Sequence, residues 1–301
     1  MIADKTVIIT GANSGLGFVA ARTIAQFGKG WHVILACRDG AKGEAAKQRL
    51  LDSASRSTIS VLELDLASLQ SVREFVEQFK TAELPPLRGL INNAGVQSLS
   101  REIHLTKDGF EVTFGTNHLG HFLLTNLLLP SLQEPARIIV VSSGTHDPDS
   151  IDGKFSKPVF LGAKRLAKPE SEKEMRGLQR YATSKLANIL FAYECARGLK
   201  DTGITANVFD PMATPDTSLI KNPIIRSISR QTWILNMLGI KTSTQEISGT
   251  AMARLLLDAN LEYTSGKYFR VSDEVKSSKQ SYDTKLAAQL WADSLELTGI
   301  G

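Results

Sequence analysis

Tyr181 and Lys185 stand four residues apart in Tyr181-Ala182-Thr183-Ser184-Lys185, and on a helix that interval puts a phenol and an ammonium on one face. A free phenol, with a pKa of about 10, is a poor acid near neutral pH. One positive charge about 4 Å away, at an effective dielectric near 20, is worth about 4 kcal/mol, or roughly three pKa units. Lys185 is therefore expected to bring Tyr181 into the range of a general acid and base. Two further features carry hydrogen-bonding chemistry. Ser142 and Ser143 close an apolar run, and because neighbours on a strand face opposite ways, only one of them can reach a site. Asn117 interrupts an otherwise apolar helical pattern in Thr116-Asn117-His118-Leu119-Gly120-His121, at a cost in helix propensity that calls for a packing or functional reason.

A second chemistry is written nearer the start of the chain. Thr10-Gly11-Ala12-Asn13-Ser14-Gly15-Leu16-Gly17 follows the apolar run Val7-Ile8-Ile9 and leads into a helical pattern. A buried strand that breaks into glycines and then a helix presents backbone N–H groups and a helix N-terminus to a phosphate. Gly11 permits the turn, Gly15 clears room for a pyrophosphate, and Gly17 lets the helix pack against the sheet. The spacing is G-x-x-x-G-x-G, so the dinucleotide fingerprint G-x-G-x-x-G is matched in mechanism rather than in letter. Asn92-Asn93-Ala94-Gly95 ends a later strand at the edge of the sheet where ligands of such folds bind.

The elements that must position these residues alternate. Strands are expected from about Lys5, at Trp31 to Ala36, Ile59 to Leu64, Leu87 to Ile91, Arg137 to Val141, Thr205 to Phe209 and Lys267 to Val271. Between them, helical spacing predicts helices from the glycine turn to Phe27, Ala41 to Leu51, after an N-cap at Ser68, Phe110 to Leu129, Leu178 to Leu199, Gln245 to Leu257, and at the polar C-terminal stretch. This rhythm predicts an α/β fold: a single-domain, Rossmann-type, doubly wound parallel sheet with helices on both faces and right-handed crossovers. Two stretches depart from it. Residues 144–179 read as an irregular surface insertion. Residues 212–244 are apolar, with Lys221, Arg226 and Arg230 interspersed, and fit a core helix pair, a substrate lid or a membrane-surface helix through about 220–240.

Composition narrows the class. Over 301 residues, 42% hydrophobic and 22% charged content are those of a globular protein with ample core. Two cysteines, Cys37 and Cys195, make no disulfide framework and point to a reducing, cytoplasmic setting. A first strand from about Lys5 leaves no room ahead of it for a signal peptide, and no uninterrupted apolar run reaches the roughly 18 residues of a membrane span. The net charge of +4 is concentrated in residues 153–180, where eight Lys and Arg face Glu170, Glu172 and Glu174. That segment reads as a solvated loop, and nucleic acid is not expected as a partner.

Taken together, TGANSGLG at 10–17, Asp65-Leu66, NNAG at 92–95, Asn117, Ser143 and YATSK at 181–185 resemble the short-chain dehydrogenase/reductase family, in the family's order. The resemblance covers about residues 5–210. It implies Tyr181 as proton donor and acceptor, Ser143 as the hydrogen bond to a substrate carbonyl, Lys185 on a nicotinamide ribose and tuning Tyr181, and Asn117 as holder of a water in a proton relay. It implies a cofactor site made of Gly11, Asn13, Ser14, Gly15, Leu16, Gly17, Asp65, Leu66, Asn93, Ala94, Gly95, Tyr181, Lys185 and Pro211, with Thr217 reaching the carboxamide. Arg38 lies 21 residues after Gly17, at the end of the second strand, where an NAD enzyme would place a carboxylate; an arginine there suits the 2′-phosphate of NADP(H).

Ala36-Cys37-Arg38-Asp39, TNHLGHF at 116–122 and SKLANILF at 184–191 look like the retinol dehydrogenase and protochlorophyllide oxidoreductase branch. Ala187 stands where the light-dependent protochlorophyllide enzymes carry cysteine, which argues against that identity. Met212 follows Pro211 where the family usually has glycine, and this departure leaves open an NADP(H)-binding sensor or scaffold with little turnover. The expectation is one NADP-binding domain over 1–301, with an insertion at 144–179 and a substrate lid at 212–244. It acts on a hydrophobic carbonyl or alcohol, and a homo-oligomer follows from family habit.

Overall fold

Runs such as Val7-Ile8-Ile9 and Val33-Ile34-Leu35, apolar at every position, are strands that can bury both faces, and both lie inside the sheet rather than at its edge. The structure is a computed structural model and describes residues 3–27, 30–53, 57–214 and 241–301. Its strands are β1 (Lys5–Thr10), β2 (Trp31–Cys37), β3 (Thr58–Glu63), β4 (Leu87–Asn92), β5 (Leu132–Val141), β6 (Ile204–Asp210), β7 (Tyr268–Arg270) and β8 (Asp273–Val275). They join in one sheet of order β3-β2-β1-β4-β5-β6-β7-β8. Every pairing through β7 is parallel, and β8 adds to the edge antiparallel to β7. The strand order reverses between β1 and β4, which opens a crevice at their carboxyl ends.

The helices are α1 (Gly15–Phe27), α2 (Gly40–Asp52), α3 (Leu69–Thr81), α4 (Val112–Phe114), α5 (Gly120–Leu128), α6 (Ile151–Ser156), α7 (Ala163–Ala167), α8 (Gly177–Gly198), α9 (Gln245–Leu257) and α10 (Thr284–Thr298). One core packs α1, α2 and α9 on one face of the sheet, through residues such as Ala21, Leu50 and Met252. The other packs α3, α5 and α8 on the opposite face, through Phe75, Phe122 and Phe191. Ser68 caps α3 by accepting from the Ser71 amide, as its position before the Val72, Phe75, Val76, Phe79 stripe predicts.

Three expectations needed revision. The helix expected over 110–129 is not one regular α-helix: α4 and α5 are joined by a π-helical turn at Gly115–Leu119, in which the Gly120 amide donates to the Gly115 carbonyl. The 144–179 insertion is more than a surface excursion. Ala163, Leu166, Ala167 and Met175 are buried against Phe110, Phe114 and Leu186 in a third core, because the 163, 166, 167 spacing lays one apolar stripe along α7. The basic residues of the 153–180 segment are not all solvated: Arg165 pairs with Glu170 and Glu174, Lys164 with Glu296, and Arg180 is buried on Glu111 at 3.3 Å. Of the expected lid, Met212, Ala213 and Thr214 at one end and 241–244 at the other are described. Residues 215–240, with Thr217 and the 220–240 stretch read as a membrane contact, lie outside the described residues.

Candidate active site

Strands β1, β4, β5 and β6 end beside one another, and the segments that leave them line a single cleft of about 660 Å³. Its walls include Gly11, Asn13, Ser14, Gly15, Leu16, Arg38, Asp65, Leu66, Asn93, Ala94, Gly95, Ser143, Tyr181, Lys185 and Pro211. Of the predicted residues that are described, Gly17 and Asn117 are not in the wall and sit behind it.

At one end the glycine turn opens α1. Gly15 has a φ of +59°, a conformation that costs glycine nothing, and a Cβ there would make only an ordinary contact, 3.8 Å from the Gln245 side chain. Gly17 is a close-approach position, since a Cβ would lie 2.6 Å from Asn93 Nδ2 and 2.7 Å from the Gly11 carbonyl oxygen. The cradle is tied to β4 through Thr10, whose hydroxyl accepts from the Asn93 and Ala94 amides, both at 2.9 Å. Asn93 Nδ2 donates to the Thr10 carbonyl at 2.7 Å, so the Asn93 side chain holds the turn together and does not project free into the cleft. His121 also meets the Thr10 hydroxyl, at 2.9 Å, and burial pushes its pKa down to about 4.

Beyond the turn, Arg38 is exposed at the cleft edge and pairs with no carboxylate among the described residues. Asp39, the acid beside it, is already engaged: it caps α2 by accepting from the Lys42 amide at 3.0 Å, and it meets the Lys42 ammonium at 2.9 Å. The hydrogen bond from Lys42 holds the Asp39 carboxyl below its ordinary range. This end of the cleft therefore carries an unpaired guanidinium, with Lys42 also in its wall. Sequence reading did not single out Lys42, although its place three residues after an N-cap is a local signal.

At the other end stand the residues with proton chemistry. Ser142 is buried and donates its hydroxyl to the Lys185 carbonyl at 2.8 Å, pinning α8 to β5. Ser143, facing the other way, lines the same stretch of cleft wall as Tyr181, and its hydroxyl acts to lower the Tyr181 pKa. Its carbonyl is held by His146 Nδ1 at 2.6 Å, while His146 Nε2 accepts from the Ser278 amide. His146 escaped sequence reading because its second partner comes from the far end of the chain.

Lys185 Nζ lies over the Tyr181 ring, 5.6 Å from its centroid, and donates to the Val141 carbonyl at 3.1 Å. Burial works against the expected acidification of Tyr181. It pushes the phenol up to about 12 against the lowering influence of the Ser143 hydroxyl, and the Asp210 carboxylate adds to the rise. Burial likewise pulls Lys185 down to about 8, with Asp210 acting in the opposite direction. The simple charge-pair argument omitted the cost of removing both groups from water.

Asn117 is fully buried and its side chain is spent: Oδ1 accepts from the Val96 amide, and Nδ2 donates to the Val96 carbonyl and to Ser184 Oγ. It thus staples the π-helical turn to the loop after β4 and to α8. Beside Pro211, Met212 lines the cleft with a φ of +61°. From the insertion, Phe155 lines it too while 74% exposed, an apolar element at its mouth.

The cleft thus joins a phosphate cradle, a cationic edge and a buried phenol, ammonium and hydroxyl. Comparison with known proteins points the same way. Residues 5–151 match the family model described as short chain dehydrogenase. Retinol dehydrogenase 12 of Mus musculus is 37% identical, over 99% of this chain and 88% of its own length. Human polyprenol dehydrogenase is 34% identical, over 99% of this chain and 86% of its own. Among solved structures, an uncharacterized protein of Mycobacterium paratuberculosis superposes with a TM-score of 0.67 at 32% identity, covering 99% of this chain and 94% of that one.

Proposed function

Because the chain belongs to the short-chain dehydrogenase family of nicotinamide-dependent oxidoreductases, we propose that it is an NADP(H)-dependent enzyme acting on the carbonyl/alcohol pair of a hydrophobic substrate. The observation that carries the reading is that Ser143, Tyr181 and Lys185 line the same cleft that begins at the glycine turn. The cofactor fits this cleft. The opening at Gly15 and the N-terminus of α1 suit a pyrophosphate, Arg38 and Lys42 suit a ribose phosphate, and Asp65 and Leu66 border the space for a base. Tyr181 and Lys185 would hold the nicotinamide ribose. When bound, the nicotinamide supplies or accepts the hydride at the carbonyl carbon.

The protein's own residues do the rest. Tyr181 delivers a proton to the carbonyl oxygen in reduction and removes it in oxidation. Ser143 donates a hydrogen bond to the same oxygen. The Lys185 ammonium, close to the phenol ring, favours the phenolate that reduction leaves behind. An apolar substrate is supported by Phe155 at the mouth and by relatives named for retinol and polyprenol. A cytoplasmic location belongs to the same proposal and is supported by the buried, unpaired thiols of Cys37 and Cys195.

The test is to titrate NADPH and NADH by fluorescence and to follow NADPH oxidation with retinoid and polyprenoid aldehydes in wild type and Tyr181→Phe. The expected result is tighter NADPH than NADH binding, with turnover falling by about 10²–10⁴ in the variant, which still binds NADPH with affinity reduced far less than turnover. NADPH binding without Tyr181-dependent oxidation of any aldehyde would identify a sensor or scaffold instead. Tighter NADH than NADPH binding would overturn the cofactor assignment.

A further inference from the structure

Asp210, the last residue of β6, is a buried carboxylate held by three partners among the described residues. Its residue is 1% exposed. Oδ2 accepts from the Tyr268 hydroxyl at 2.8 Å and from Arg270 Nε at 3.1 Å. Oδ1 accepts from the Met212 amide at 2.9 Å. The last of these bonds closes a turn in which Met212 adopts a φ of +61°. A side chain in the left-handed region is strained, and it persists only where its surroundings hold it.

The flanking peptides are held from elsewhere. The Ser248 hydroxyl donates to the Pro211 carbonyl at 2.8 Å, and the Ser243 amide donates to the Ala213 carbonyl at 2.9 Å. Those bonds fix the ends of the turn. Only the bond to Asp210 is made by Met212's own amide among the described hydrogen bonds. Met212, Ala213 and Thr214 form the cleft wall at the end where β6 leaves the sheet, and Ser143, Tyr181 and Lys185 line the same cleft.

We propose that Asp210, charge-balanced by Arg270, is a positioning residue that holds Met212 in its left-handed turn and so shapes the wall of the reaction site. The proposal rests on the reading of the cleft as the site of hydride transfer. Asp210 touches neither of the reacting partners in that reading, and its effect passes through the Met212 peptide.

Methyl-¹³C methionine NMR tests it on the full chain, since the five methionines give few resonances and Met212 reports on the turn without any added cofactor. Asp210→Ala is expected to displace the Met212 methyl resonance while those of the buried Met175 and Met252 stay in place. Arg270 would be left unpaired, so a second variant, D210N/R270Q, replaces the charged pair by a neutral one and keeps an oxygen for the Met212 amide; its Met212 resonance is expected to match wild type. In kinetics with NADPH and an apolar aldehyde, Asp210→Ala is expected to lose roughly tenfold or more through misplacement of the wall. D210A/M212G is expected to recover most of that loss, because glycine adopts this φ freely.

An unmoved Met212 methyl in Asp210→Ala, a displacement shared by Met175 and Met252, or a double variant as impaired as Asp210→Ala overturns the proposal. If the wild type neither binds NADPH nor turns over, the functional reading fails, and the methyl comparison still decides whether Asp210 positions Met212.

Discussion

Replacing Lys185 by methionine should make the cofactor-free protein more stable at neutral pH while removing its activity. Lys185 is 3% exposed, and burial lowers its pKa from 10.5 to about 8. At about 1.4 kcal/mol per tenfold, this difference amounts to roughly 3 kcal/mol of stability withheld when the group is charged in both folded and unfolded chains. Methionine has a similar length and no charge. It gives up the hydrogen bond to the Val141 carbonyl, a loss of about 1 kcal/mol, and Asn188 Nδ2 still donates to that oxygen at 3.2 Å.

The net gain of about 2 kcal/mol corresponds to a Tm rise of roughly 4 °C for a chain of this size. The sign with pH follows from the lowered pKa. Above about 10.5 the lysine is neutral in both states and the cost vanishes. As pH falls from 10.5 to about 8, the unfolded chain takes up the proton before the folded one, and the folded state loses ground until the cost is complete below 8. Differential scanning fluorimetry of wild type and Lys185→Met, from pH 7 to pH 10.5 without cofactor, reads this directly. The expected Tm gap favours the variant most at pH 7, shrinks as pH rises and reverses slightly toward pH 10.5, where only the lost hydrogen bond remains. A gap that is independent of pH, or a variant less stable than wild type throughout, refutes burial as the dominant influence on Lys185.

Three other outcomes follow from the geometry. Arg38→Ala should weaken NADPH binding about tenfold or more, the range of a hydrogen bond to a charged group, and leave NADH affinity unchanged in parallel titrations. Ser142→Ala should cost about 1 kcal/mol in thermal unfolding through its lost bond to the Lys185 carbonyl, whereas Ser143→Ala should leave stability near wild type and lower kcat by about 10²–10³. Gly17→Ala places a Cβ 2.6 Å from Asn93 Nδ2 and should destabilise the protein by about 1–3 kcal/mol, measured by urea unfolding.

Much of the fold and half of the site were legible from local pattern. Fully apolar runs marked the buried strands, a 3.6-residue stripe marked α3 behind its Ser68 cap, and the glycine turn announced the phosphate cradle. β8 was not legible: Asp273-Glu274-Val275 is short, partly exposed and without apolar alternation, so only its pairing with β7 makes it a strand. The π-helical turn was hidden because Gly115–Leu119 has the composition of any helix, and the extra residue is accommodated by the bonds of Asn117 to Val96 and Ser184. Resemblance favoured Ser143 over Ser142, and the register of β5 against α8 supplies the physical reason.

The sequence by itself determined the order of strands and helices, the place of the glycine turn and the helical proximity of Tyr181 to Lys185, because each depends on residues within a few positions of one another. Only the tertiary structure decided the electrostatics and the support of the site. Tyr181 rises to about 12 and Lys185 falls to about 8 because the packing around them excludes water. The Asp210 carboxylate that holds Met212 is itself held by groups 58 and 60 residues away. Desolvation and through-space pairing depend on which distant segments meet, and no local period in the chain encodes that.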